Sequence, residues 1–181
     1  MLATWQTDAQ AGREYAQEFR ILTRQGEVRW VQGRSKPILA ENGIVTGHVG
    51  TAADLTARKQ AGLALQKSEE RYRALFESAA DGIITSTTEG VITDCNTGLE
   101  TLLGWSREEL KGNHFQKLVP RLCLPQVAAY MKERIAGTSI STVESELVRK
   151  DGDSLPVESL LTCLYDDTHQ LTGFQVIHRD I

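Results

Sequence analysis

The sequence predicts an α+β fold: a five-stranded antiparallel sheet with helices on one face, preceded by the C-terminal half of a second copy of the same unit and a connecting helix. Three observations predict it. An ungapped internal repeat runs through the chain, Asn-Gly in the first copy and Asp-Gly in the second punctuate alternating apolar stretches, and a long extension of strands and helices stands ahead of the second copy that the first lacks.

The repeat has an offset of 126 residues, Glu144 standing against Glu18. Glu18, Gly26, Val31, Thr46, Gly47 and Asp54 recur as Glu144, Gly152, Val157, Thr172, Gly173 and Asp180, and Ile21/Leu147, Leu22/Val148, Ile38/Leu164, Val45/Leu171 and Leu55/Ile181 keep apolar character. A repeat of this length means that one unit occurs twice. The offset is far above solenoid periods, so the two copies are tandem domains. Each copy reads as a three-stranded meander. In the second, strands are expected at 141–149, 154–164 and 171–178, joined by Asp151-Gly152 and by a turn at 166–169. Asp-Gly tolerates positive φ and so joins antiparallel strands. Leu155, Val157 and, less strictly, Leu160 alternate with polar residues along the middle strand. The first copy repeats the pattern, with turns at 25–26 and 41–43.

Ahead of the second meander, 81–88 and 90–94 read as a strand pair around Glu89-Gly90, followed by helices at 96–104, 106–111 and 124–136. Ser106 with Glu109 has the spacing of a capping box, which satisfies the orphan amides at a helix start. Val127 and Met131 lie on one face of the last helix. Residue 1 corresponds by the offset to Val127, so the first copy begins inside its last helix. The expected organisation is 1–55, half a domain (last helix plus three strands); 56–76, a helical linker; and 77–181, a complete domain. Leu65, Tyr72 and Ala79 are seven apart in and just beyond the linker, with Ser68 and Leu75 between them. That pattern fits a helix packed along its own domain, and equally a parallel coiled coil between two protomers. The half-domain leaves a sheet edge and an apolar face that a neighbouring chain would cover. The sequence stops one repeat after Leu55, just before a next linker helix would begin, which reads as a piece of a longer protein.

Composition narrows function. A net charge of −4 gives no electrostatic reason to expect nucleic acid or anionic lipid. No apolar run reaches the ~18 residues of a membrane span, and the N-terminus lacks a secretory signal. Three widely spaced cysteines, Cys95, Cys123 and Cys163, fit a reducing cytoplasm better than a disulfide framework. His48, His114, His169 and His178 show no metal spacing, and His169 and His178 read as structural or solvated. Asp166-Asp167 falls in a turn, where Asp is favoured by local hydrogen bonding. No nucleophile motif or phosphate-cradling loop occurs, so no catalytic residue and no metal ligand is assigned.

These segments resemble the PAS family. The element order matches its sheet with helices inserted between the second and third strands. Asn96, Leu102-Leu103-Gly104-Trp105 and Glu109-Leu110-Lys111-Gly112 sit where that family carries an Asn, a Leu-Leu-Gly-aromatic and a Glu-Leu-x-Gly. Residues 18–38 are similar to the subtype with an Arg-Trp-Val strand, here Arg29-Trp30-Val31. Asp54, Thr56 and Arg58 hold the places of the motif that starts a signalling helix, and Asp180 holds the Asp place in the second copy. The resemblance implies a cytoplasmic sensory module, dimeric through its domains and linker helix, in a two-component sensor such as a histidine kinase. Members of the family hold a small molecule between sheet and helices or simply relay a signal through flanking helices; a ligand-free dimerisation scaffold and an FAD-binding redox sensor are the alternatives.

The pocket candidates that follow are Ile84 on a strand, Leu99, Leu103 and Phe115 in the helical segment, and Val127, Tyr130 and Met131 on the last helix. Leu147, Val157, Leu160, Phe174 and Val176 complete them from the meander. The same residues also suit an ordinary filled core, because interiors are close-packed. Against haem, the place of the family's axial histidine, seven before Tyr130, holds Cys123, and the ligand-binding Arg is Val143. Covalent flavin-adduct chemistry is excluded because 112–117 contains no cysteine. Non-covalent FAD needs no single signature ligand and stays open, with Trp105, Asn113, His114 and Phe115 as contacts.

Overall fold

The computed structural model describes residues 14–138 and 141–181. The helix expected at the start of the first copy falls on residues 1–13 and lies outside the described residues. The chain divides into two units, Met1–Glu70 and Arg71–Ile181.

The first unit holds a three-stranded antiparallel sheet in the order β1 (Tyr15–Leu22), β2 (Val28–Leu39), β3 (Val45–Asp54). Helix α1 (Thr56–Ser78) begins in this unit and ends in the second. Its start is tied to β2. The Asp54 carboxylate accepts from the Thr56 amide at 2.8 Å, the Thr56 hydroxyl accepts from the Trp30 amide at 2.9 Å, and the Leu55 amide donates to the Trp30 carbonyl. Arg29 reaches the other Asp54 oxygen at 3.2 Å, and Lys59 lies over the Trp30 ring. Hydrogen bonds from Thr56 hold the Asp54 carboxyl below its ordinary pKa, with Arg29 adding to them. The Arg-Trp strand and the Asp-x-Thr start are therefore one device for anchoring a helix.

The second unit is a five-stranded sheet in the order β5-β4-β8-β7-β6, with β4 (Gly82–Thr87), β5 (Ile92–Cys95), β6 (Val143–Val148), β7 (Ser154–Tyr165) and β8 (Leu171–Asp180). The last strand sits centrally because β4 pairs along its open edge, Ile84 opposite Val176. Helices α2 (Thr97–Leu103), α3 (Arg107–Leu110) and α4 (Leu124–Ile135), with a 3-10 turn at Phe115–Leu118, cover one face. Asn96 caps α2, and Gly104 ends it with a φ of 73°, a left-handed conformation that suits glycine. The capping box at Ser106 and Glu109 forms as predicted, but α3 is a single turn and not the full 106–111.

The repeat is structural as well as sequential. Phe19 pairs with Val31 as Ser145 pairs with Val157, and Gly33 with Ala52 as Ser159 with His178. A bulge interrupts β2 at Ile38/Leu39 and β7 at the equivalent Leu164/Tyr165. Beside it, Thr46 donates to the Ile38 carbonyl and Thr172 to the Leu164 carbonyl, both at 3.1 Å.

Candidate functional site

Strand alternation determines what faces the helices. On β7 the inward set is Leu155, Val157, Ser159 and Leu161, all buried. On β8 it is Phe174, Val176 and His178, and on β6 Val143, Ser145 and Leu147. Register places Val143, Ser159, His178 and Gly82 in one row across the sheet, and Leu161, Val176, Ile84 and Cys95 in the next. Helix α4 lays Val127, Tyr130 and Met131 over these rows, the i, i+3, i+4 spacing of one helix face. The Tyr130 hydroxyl fixes that helix, donating to the Ser141 carbonyl at 2.9 Å and accepting from the Leu161 amide at 3.1 Å.

Between helix and sheet lies a cavity of about 60 Å³. Of the sequence candidates, Ile84, Phe115, Val127, Tyr130, Met131, Leu147 and Val176 line it. Leu99, Leu103, Val157 and Phe174 are buried in the packing around it and do not line it. Leu160 is a correction. It shares the parity of Glu158 and Thr162, so it faces the other side of the sheet, and the inward residue is its neighbour Leu161. Val143 lines the cavity, whereas Cys123 does not.

The residues that sequence reading missed are polar. Ser145, Ser159 and His178 line the same cavity, and the Ser159 hydroxyl lies 2.8 Å from His178 Nδ1. His178 was expected to be structural or solvated; it is buried and at the cavity wall. Burial pushes its pKa down to about 4, because an imidazolium there would lose its hydration. The ring is therefore neutral at physiological pH and presents one donor and one acceptor. The signal was its parity with Phe174 and Val176, which an apolar pattern does not register.

A second polar centre joins α1 to this unit. The Asn96 side chain, fully buried, donates to the Phe76 and Asp81 carbonyls at 3.0 Å each and to that of Ala79 at 3.4 Å. Its oxygen accepts from the Ile83 amide at 2.8 Å and the Leu99 amide at 2.9 Å. Beside it Glu77 pairs with Arg107 at 2.5 Å and accepts from the Thr97 amide and hydroxyl. Burial raises the Glu77 carboxyl, but the Arg107 and Thr97 hydrogen bonds outweigh it and hold it below the ordinary value. Cys95, fully buried nearby, is pushed up to about 11 by burial and stays a thiol. At the hand-off positions Asp54 and Thr56 are engaged as described above, Arg58 is exposed beside them, and Asp180 is exposed at the end of β8, paired in register with Val157.

A flavin fits this arrangement poorly. The cavity is several-fold smaller than the ~300 Å³ lower bound for drug-sized ligands. No cysteine lines it. Among the described residues no cluster of three His, Cys, Asp or Glu could hold a metal ion.

An antiparallel five-stranded sheet with helices closed over a small apolar cavity defines a sensory-type domain. The PAS fold model matches residues 70–181, and a second PAS fold model matches residues 1–52. The chain belongs to the PAS family. It is 45% identical over 53 residues (29% of this chain, 10% of the relative) to a blue-light-activated histidine kinase of Brucella ovis. Over 102 residues (54% of this chain, 10% of the relative) it is 28% identical to the sensor histidine kinase TmoS of Ectopseudomonas mendocina. The chain thus spans about a tenth of the length of these curated relatives. Among solved structures, the PAS domain of a Colwellia psychrerythraea protein superposes with a TM-score of 0.59 at 27% identity, covering 62% of this chain and 95% of that one. No helix among the described residues is long and apolar enough to cross a membrane.

Proposed function

We propose that the chain is a non-catalytic sensory relay of a cytoplasmic two-component receptor, in which occupancy of the cavity biases the end of β8 and, through it, a helix leading to an output domain such as a histidine kinase. One observation carries this. The polar row of the cavity ends at His178, two residues before Asp180, and Asp54, the equivalent of Asp180, is the residue that holds the start of α1. A ligand shifts such a hand-off only by binding its two arrangements with different affinity. The same reading has the chain work as a homodimer through its PAS domains and α1, whose Leu65, Tyr72 and Leu75 are exposed.

A flavin-dependent variant draws support from the kinship to blue-light-activated kinases. It requires the cavity to open several-fold. An absorption spectrum of the purified protein, with mass spectrometry of what acid releases, separates the two. A colourless protein is expected, and stoichiometric flavin would make it a redox or light sensor. The relay itself is tested by filling the cavity with Val127→Phe and following hydrogen exchange of the amides at 176–180. Changed protection is expected, whereas unchanged exchange in a folded variant would leave a ligand-free dimerisation scaffold.

A further inference from the structure

The cavity's size and the chemistry of its wall together specify a ligand class. Its lining is overwhelmingly apolar, from Ile84, Val127, Leu147 and Val176 among others. At about 60 Å³ it equals the liquid volume of roughly two waters. Removing a charge from water into such walls is costly, and none of the lining residues is charged. The polar exception is local: Ser159 and His178 sit side by side in one row of the sheet, with Ser145 on the neighbouring strand. Ser159 engages His178 Nδ1, and Nε2 has no hydrogen-bond partner among the described residues. A neutral imidazole with a hydroxyl offers both a donor and an acceptor to an incoming group.

Resting on the sensory reading above, we infer that the cavity takes a small uncharged amphiphile of about two to four non-hydrogen atoms, with a short alkyl part against the aliphatic wall and a single hydroxyl or carbonyl on the Ser159–His178 pair. A ligand of that size binds no tighter than several millimolar at two non-hydrogen atoms and some tens of micromolar at about four, given the ceiling of about −1.5 kcal/mol per atom. It therefore exchanges quickly, as a detector of abundant metabolites or solvents must. The first copy does not share this site. The positions of Ser159 and His178 are Gly33 and Ala52, and those of Leu161 and Val176 are Ser35 and Gly50.

The test is a titration of the methyl-labelled chain with 1-propanol, and with propionate as a charged mimic of similar size, followed by NMR. Expected are saturable shifts confined to Ile84, Val127, Leu147 and Val176 with 1-propanol and none with propionate. Ser159→Ala should weaken 1-propanol about fivefold, the loss of one neutral hydrogen bond. Should that variant fold poorly, the ring signals of His178 in the unaltered chain give the same readout, and they should move with the methyls. Non-saturable or scattered shifts, an equal response to propionate, or full affinity in a folded Ser159→Ala overturns the inference. The relay is scored separately by the Asp180 amide: methyl shifts with that amide unmoved keep the ligand class and count against the relay. Bound flavin in the purified protein overturns the ligand class and leaves the sensory reading intact.

Discussion

The two copies of the meander share strand register, bulge and turn chemistry, yet among the described residues only the second builds a core cluster. Leu147 is 2% exposed, while its equivalent Ile21 is 41% exposed. Leu22, Val28, Leu39 and Val49 of the first sheet are likewise exposed, with Tyr15 and Val31 the buried apolar residues there among those described. In the second unit β4 pairs along β8, and α2 to α4 cover the inward rows. The first sheet shows neither among its described residues. Backbone pairing and turn residues are sufficient to draw a meander, but burial comes from what is laid on it. The side chains at the equivalent positions are also smaller: Gly33, Ser35 and Gly50 stand where the second copy has Ser159, Leu161 and Val176.

Truncating equivalent residues breaks this comparison most sharply. Leu147→Ala should destabilise the second unit by about 3 kcal/mol, the transfer and cavity cost of a buried leucine, whereas Ile21→Ala should cost less than about 1 kcal/mol. Urea unfolding of both variants checks it, and equal losses would mean that the first sheet's face is covered in solution.

Asn96 is next. Asn96→Ala removes a cap and leaves several buried backbone groups unpaired, for a loss of about 3 kcal/mol. Asn96→Asp should be worse, because it turns an oxygen toward the Phe76, Ala79 and Asp81 carbonyls. An Asp variant as stable as the native chain would contradict the assigned donors.

Burial of His178 gives the second unit a pH dependence of its own. Its folded pKa, about 4, lies below the ordinary 6.5, so the unfolded chain takes up the proton first as pH falls. Stability is full above about 6.5 and declines toward 4, by up to about 3 kcal/mol. Thermal melts across that window should show the slope in the native chain and lose it in His178→Asn.

The smallest effect sits where α1 meets the second unit. Arg107→Ala should cost about 1 kcal/mol, a half-buried ion pair with Glu77 offset by desolvation, and a double-mutant cycle with Glu77→Ala measures the coupling. No coupling would leave Asn96 and the Thr97–Glu77 hydrogen bonds as the polar ties to α1 at this point.

Much of this architecture was legible in the chain. The offset repeat carried the register down to the paired residues, and Ser106 with Glu109 marked a helix start that forms. What failed did so for physical reasons. The Leu160-Leu161 doublet offers an apolar residue to each face, and only the parity of Leu155 and Val157 decides between them. Ser159 and His178 were passed over because an apolar pattern reads polar residues as outward. The role of Asn96 depends on carbonyls from Phe76, Ala79 and Asp81 converging on one amide, which no spacing reveals. The strand order, with β8 central, depends on the β4–β8 pairing between segments far apart in sequence.

Native-state hydrogen exchange on the unaltered chain tests the contrast between the two copies most directly. Amides of the β7–β8 ladder should open only with global unfolding of their unit, while those of the equivalent β2–β3 ladder should exchange roughly a hundredfold faster or more. Equal protection of the two ladders would contradict it, showing that the first sheet is as fully buried in solution as the second.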